Sequence, residues 1–462
     1  MTSAQVHPLF EEPDPVPPLG AAEPTRPRPP ETIEDTGLTE EFLADLLLKT
    51  LYIQGARTGM QLLETIRLPF PFIDERVLDL QQRRLIEVRG TTGHSRAGYL
   101  FDLTGAGRDR AREAVESCQY VGPAPVPLRQ YVDWIQRQSI THSKVTQDIV
   151  TQGFSNMVLN PKVFDVLGPA INSAQSIFLY GGPGNGKTFM AETIAKLLGG
   201  ALYIPYAVEV DGQILVLYDP VYHHEVPEEE PEGDIPAWLN MAAPWDRRFV
   251  RVHRPVVITG GELTLDQLDL QYDQFTKMYT APFQMKANGG VLIIDDFGRQ
   301  RMSSRDLLNR WIVPLEKRID FLTLHTGGKF PMPFDSLLIL STNLRPSDLV
   351  DEAFMRRIHY KIHVLGPDAE LLGEIWRRCS LEREIPFADW AVAHLYDRWY
   401  GRLGIEPRAC HPRDLLDHFL DIVHFMQSDR TLTPALLDQA CRSYFLDDST
   451  SDDTWTPAQV TT

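Results

Sequence analysis

A chain of 462 residues, 43% hydrophobic and 23% charged, has the composition of an ordinary soluble protein and the length of two or three domains. Its formal net charge of −18 disfavours non-specific attraction to nucleic acid over the chain as a whole, and no apolar run approaches the roughly 18 residues that cross a bilayer. The opening MTSAQVHPLFEEPDPVPP lacks the basic start and apolar stretch of a secretory signal, and Cys118, Cys379, Cys410 and Cys441 form no C-x-x-C pair; both features fit a reducing cytoplasm and argue against structural zinc or a disulfide framework.

Residues 1–36, with PDPVPPLG and PTRPRPPE, offer little apolar surface to bury and read as a disordered Pro-rich tail. Residues 37–117 then form the first organised block. TEEFLADLLLKTLYI has helical apolar spacing with Thr39 as N-cap, TGMQLLETI and PFIDERVLDLQQRRL predict two further helices, LIEVRG and GYLFDLT predict a hairpin, and AGRDRAREAVE a closing helix. Three helices followed by a two-stranded wing resemble a winged-helix domain. Such a domain often binds DNA through its third helix, but here Asp74, Glu75 and Asp79 are interleaved with Arg76, Arg83 and Arg84. A protein-docking or structural role is favoured over DNA contact, and DNA stays open as a partner.

Residues 118–139, containing GPAPVPL, read as a linker. From 140 to 365 strands alternate with helices, the pattern of a parallel sheet with helices on both faces. SIFLYGGPGNGKTFMAETIAKLL (176–198) is a strand, a glycine-rich loop and a helix. Gly181 to Thr188 fit G-x-x-x-x-G-K-[ST], the phosphate-binding loop. Gly182, Pro183, Gly184, Asn185 and Gly186 would turn backbone N–H groups towards phosphate oxygens, and the helix would aim its positive end at the same place. Lys187 would reach the β- and γ-phosphates, and the Thr188 hydroxyl would take one position on Mg²⁺. That loop needs an acidic strand end opposite it, and VLIIDDF (291–297) has that shape: Asp295 for the metal, Asp296 to polarise the attacking water.

Beyond it, SLLILSTN (336–343) is a buried strand ending on Asn343, DEAFMRRIHYKIHV (351–364) carries Arg356 and Arg357 ahead of another strand, and HPRDLLDHFL puts Arg413 at a helix start. This order of motifs, over roughly residues 140–447, resembles an AAA+ ATPase. The resemblance implies a three-layer αβα P-loop NTPase core with a helical lid over 366–447 and a disordered tail over 448–462. It implies Asn343 as first sensor near the γ-phosphate, Arg356 and Arg357 as fingers reaching a neighbouring subunit's nucleotide, and Arg413 as second sensor. The implied activity is hydrolysis of ATP with Mg²⁺ in a homo-oligomeric ring, a hexamer, that remodels a partner protein or complex; an ATP-gated DNA-binding regulator is the alternative. The segment 314–343, a helix then a hairpin ahead of the sensor strand, is similar to the MoxR-type pattern. Two features depart from the superfamily. The interval from Lys187 to Asp295 is unusually long and includes a β-rich insertion over about 209–260, with the acidic run EVPEEEPEGD. The second acid is also Asp296 where Glu is usual. His223, His224, His359 and His363 lack metal-binding spacing and are read as surface or strand residues.

Overall fold

The computed structural model describes residues 25–93, 95–227, 245–349 and 355–445. Most of the Pro-rich tail, the acidic run from 228 on and the C-terminal tail lie outside the described residues. The chain divides into two compact units. One comprises residues up to Ser143, Lys196–Pro255 and Asp273–Tyr279; the other comprises Lys144–Ala195, Val256–Tyr272 and the chain from Thr280.

In the first unit, helices Glu40–Gln54, Gly59–Ile66 and Phe70–Gln82 precede antiparallel strands Ile86–Thr91 and Tyr99–Leu103, and helix Gly105–Ser117 follows. Thr39, Thr58 and Thr104 cap three of the helices, each hydroxyl accepting a backbone N–H of the first turn. Leu46, Leu62, Leu80, Phe101 and Ala111 form the core between them. Part of the stretch read as tail is ordered here, because Ile33–Thr36 is a helical turn closed by a capping box between Thr32 and Asp35.

Residues 118–139 are not a linker. Val126–Pro127 pairs in parallel with the strand Ala207–Val210, and Leu128–Arg137 is a helix that buries Tyr131, Trp134 and Ile135. The 131/134/135 spacing is a helical apolar face, and Trp134 Nε1 donates to the Tyr203 carbonyl at 3.0 Å. In the same unit Arg248 and Asp246 form an ion pair whose side chains are 2% and 4% exposed. The guanidinium donates from Nη2 to Asp246 Oδ2 at 2.8 Å and from Nη1 to the Thr36 carbonyl at 2.9 Å.

In the second unit a five-stranded, all-parallel sheet runs in the order Val256–Thr259, Val291–Ile294, Leu337–Thr342, Ser176–Tyr180, Tyr360–His363. Parallel neighbours require crossover connections, which carry helices onto the faces. The central three strands are accordingly buried along nearly their whole length. This is the αβα layering of a P-loop NTPase. The β-rich insertion therefore ends earlier than its sequence suggested: Val256–Thr259 is the edge strand of this sheet and not part of the insertion. The segment ahead of the strand Leu337–Thr342 folds as helix Ile312–Lys317 and an antiparallel hairpin of Ile319–Thr323 with Lys329–Pro333.

Helices Ala369–Glu382, Trp390–Leu395, His411–Met426 and Pro434–Tyr444 form a bundle around Leu372, Trp376, Leu395, Phe419 and Leu437. A π turn at Tyr396–Tyr400 continues the second helix, with Trp399 Nε1 donating to Asp438 Oδ1 at 2.7 Å and the Tyr400 hydroxyl 3.1 Å from His411 Nδ1.

Removing one member of a buried ion pair leaves the other charged and unpaired, at a cost of about 3–5 kcal/mol. Asp246→Ala is accordingly expected to lower unfolding free energy by about that much in a denaturant titration, far more than an exposed Asp such as Asp211 replaced in the same way.

Candidate nucleotide site

The order of strands places the site. The strand Leu337–Thr342 lies between the loop strand Ser176–Tyr180 and the aspartate strand Val291–Ile294, with Leu340 opposite both Phe178 and Ile294. Asn343 therefore leaves the sheet between the glycine-rich loop and the aspartates. In open parallel sheets ligands bind at this carboxyl end.

The loop runs from strand Ser176–Tyr180 into helix Lys187–Leu198. Gly184 and Gly186 adopt φ of 79° and 80°, a region that costs other residues energy. At Gly184 space is also decisive, since a Cβ there would meet Cys410 Sγ at 2.5 Å.

Lys187 Nζ donates to the carbonyls of Gly181 at 3.1 Å and Gly182 at 2.9 Å, and to Asn343 Oδ1 at 2.6 Å. Burial pushes the Lys187 ammonium below its ordinary value, while Asp295 and Asp296 pull the other way. The Thr188 hydroxyl donates to Asp295 Oδ2 at 2.8 Å. Asn343 Nδ2 donates to Asp296 Oδ1 at 2.7 Å. Asp296 itself sits at φ 47°, a left-handed conformation that Asp tolerates better than most residues, with its carbonyl and that of Asp295 accepting from Gln300 Nε2. Lys187, Thr188, Asp295, Asp296 and Asn343 thus form one hydrogen-bonded constellation.

The donor set suits Mg²⁺. Thr188 and Asp295 present hard oxygens, and among the described residues no cluster of three or more His, Cys, Asp or Glu could hold a metal unaided. Magnesium is commonly held by one or two carboxylates, with waters and substrate phosphates completing its octahedron. Two carboxylates beside one lysine also leave a net negative charge that would repel a bare triphosphate.

The remaining predicted residues fall elsewhere. Arg356 and Arg357 lie at the opposite, amino end of the sheet. Ser176 Oγ, at the start of the loop strand, accepts from His359 N at 3.2 Å, and Arg357 Nε donates to Glu316 Oε1 at 2.6 Å. The five-residue strand between that point and the loop spans about 16 Å, beyond an arginine's reach. Arg413, on the helix His411–Met426, pairs with its neighbour Asp414, and its side chain is 61% exposed.

The lid makes its contacts with the loop one turn earlier. Cys410 N donates to the Gly184 carbonyl at 2.9 Å, Ala409 N to Asn185 Oδ1 at 3.2 Å, and a Cβ on Gly184 would lie 3.6 Å from Arg408 Cδ. The buried Asn185 side chain is thereby spent on the lid. Sequence reasoning missed Arg408 and Cys410; the only local signal was their place just ahead of the Pro-initiated helix. His411, 2% exposed, anchors this turn: its Nδ1 accepts from Arg408 N at 3.2 Å. Burial, with help from Arg408, lowers its pKa to about 4.

The family described as "Domain of unknown function (DUF8689)" matches residues 369–443, the helical bundle. No curated protein matches the chain by sequence. Solved structures similar to it include RuvB of Thermotoga maritima, described as a Holliday junction branch migration motor. That match has 14% identity and a TM-score of 0.35 over 69% of this chain and 76% of RuvB. NtrX of Brucella abortus in complex with ATP matches at 14% identity and a TM-score of 0.36, over 64% of this chain and 61% of NtrX.

Because His411 is held neutral in the fold, stability is complete above the unfolded value near 6.5 and declines as pH falls from there towards 4. Over that window about 3 kcal/mol is lost. Denaturant midpoints measured from pH 7 to 4.5 are expected to fall more steeply for the native chain than for His411→Gln.

Proposed function

We propose that the chain is an AAA+ ATPase that hydrolyses ATP with Mg²⁺, works as a homo-oligomeric ring, a hexamer, and uses the cycle to remodel a partner protein or complex. One observation carries the reading: the hydrogen-bonded chain Lys187–Asn343–Asp296, with Thr188 on Asp295 beside it. Each group has the chemistry its role requires. Lys187, tied to loop carbonyls and Asn343, would exchange these acceptors for the β- and γ-phosphate oxygens. Thr188 and Asp295 would hold a magnesium ion, which would supply neutralisation of the phosphate charge. Released from Lys187, the Asn343 amide would turn its donor to the γ-phosphate or the water, and Asp296 would orient that water and accept its proton.

The distance of Arg356 and Arg357 from their own loop supports action on a neighbour's nucleotide. Arg408, lying beside Gly184, supports a lid that senses the nucleotide through this residue, with Arg413 as the alternative. The four free thiols suit a reducing cytoplasm.

For the N-terminal block we propose a winged helix that docks protein. Four of its arginines are already matched: Arg76 to Glu40 and Glu75, Arg83 to Glu41 and Asp79, Arg89 to Asp102 and Arg96 to Asp74. The exposed face of its third helix carries Pro71, Glu75, Leu78 and Gln82, which present no cation to a phosphate backbone. A DNA reader would require salt-dependent affinity for duplex.

Asp296→Asn is expected to keep ATP binding and lose turnover. Arg356→Ala and Arg357→Ala are each expected to cost roughly 10³-fold in turnover with binding intact. Steady-state phosphate release per subunit should rise with protein concentration. Turnover that is independent of concentration and unchanged in the arginine variants would refute the ring.

A further inference from the structure

The aspartate pair runs into a turn that one side chain holds together. Gln300 Nε2 donates to the carbonyls of Asp295 at 3.0 Å and Asp296 at 3.2 Å, and Gln300 Oε1 accepts from Gly298 N at 2.8 Å. A primary amide carries donors on one side and an acceptor on the other, so this half-buried group closes both ends of the turn from 295 to 298. The opposite edge of the turn is fastened to the neighbouring strand. Phe297 N donates to the Ser341 carbonyl at 2.7 Å, and the buried Thr342 hydroxyl donates to the Phe297 carbonyl at 2.7 Å. The Phe297 ring is buried edge-on to Phe178, with centroids 6.2 Å apart. Between these fastenings sits Asp296, at φ 47°. A residue with a side chain stays in such a conformation only where its surroundings over-determine it, and residues of this kind gather at active sites. Here the surroundings are Gln300 on one side, Phe297 and Thr342 on the other, and Asn343 Nδ2 on the carboxylate at 2.7 Å.

We infer that Gln300 is a positioning residue, which holds the Asp296 backbone in the left-handed turn that aims its carboxylate at the attacking water. The inference rests on the ATPase reading, in which Asp296 orients that water, and adds to it the group that sets where Asp296 stands. The Gln300 amide is engaged by backbone at both of its ends, so it acts through Asp296 and not on the phosphates. Without it, residue 296 is free to return to the right-handed or extended backbone that Asp prefers, which swings the carboxylate away from Asn343. Displacing a catalytic group by about 1 Å costs on the order of 100-fold in rate. The nucleotide-binding groups stand independently of this clamp. Lys187 is tied to the loop carbonyls and Asn343, and Asp295 N donates to the Thr259 carbonyl at 2.8 Å, which keeps Asp295 in line with the sheet. Binding and turnover are therefore separable. Both the length and the amide of glutamine matter: Ala removes all three bonds, and Glu keeps an acceptor for Gly298 but sets a carboxylate against two carbonyl oxygens.

Steady-state kinetics and ATP binding of the full chain test this. Gln300→Ala and Gln300→Glu are each expected to bind ATP as the native chain does, to keep its KM and to lose about 100-fold in kcat. The double variant Gln300→Ala/Asp296→Asn is expected to keep the residual turnover of Asp296→Asn, because the clamp then has no carboxylate left to position. Loss of ATP binding in both Gln300 variants overturns the inference, since it assigns Gln300 to the integrity of the whole site. Native turnover in both variants overturns it as well. So does a double variant slower than Asp296→Asn, which reveals a route that bypasses Asp296. Native turnover in Asp296→Asn removes the role given to Asp296, and the inference goes with it. A slow Asp296→Asn beside normal Gln300 variants leaves that role standing and removes Gln300 alone.

Discussion

The constellation at the carboxyl end of the sheet depends on a single amide. Asn343 accepts from Lys187 with one atom and donates to Asp296 with the other, which only a side chain carrying both a donor and an acceptor can do. A carboxylate in its place would repel Asp296, and an aliphatic group would leave the buried lysine without its side-chain acceptor. The bridge is possible because the strand bearing Asn343 runs between the other two. Strand order is thus the constraint from which the site's geometry follows. Asp296, on a left-handed backbone, accepts from Asn343 at 2.7 Å.

A parallel sheet has two chemically different ends, and in this protein each gathers its own set of charged groups. The carboxyl end gathers the lysine, the aspartates and the amide; the amino end gathers Arg318, Arg356 and Arg357. A buried strand of five residues separates them and is too stiff and too long for one end to serve the other. The lid adds a third element, since Cys410, Ala409 and Arg408 touch the loop through the turn that His411 braces. Movement of the loop around a phosphate would be felt at the start of helix His411–Met426.

Much of this was legible locally. Strand, glycine loop and helix at 176–198, the apolar run ending at Asp295 and the caps at Thr39 and Thr104 are short-range patterns set by steric limits, burial and hydrogen-bonding valence. Other features were misread. Helix Leu128–Arg137 was hidden by the prolines ahead of it, although Tyr131, Trp134 and Ile135 have helical spacing. Val256–Thr259 looked like part of the insertion because nothing local tells an edge strand of one sheet from a strand of another. Arg408 and Arg318 lie in unremarkable contexts and gain their positions from partners distant in sequence: Gly184 for one, Ser336 and Phe334 for the other.

The sequence by itself determined the chemical groups and the local geometry that presents them: a loop only glycines can form, a lysine and threonine at a helix start, and paired aspartates at a strand end. Tertiary structure decided which of these groups meet. Pairing order in a parallel sheet is set by crossover connections and burial summed over the whole core, and no short stretch encodes it. That order put Asn343 between Lys187 and Asp296, sent the arginines to the far end, and brought Arg408, with no motif of its own, beside the phosphate loop.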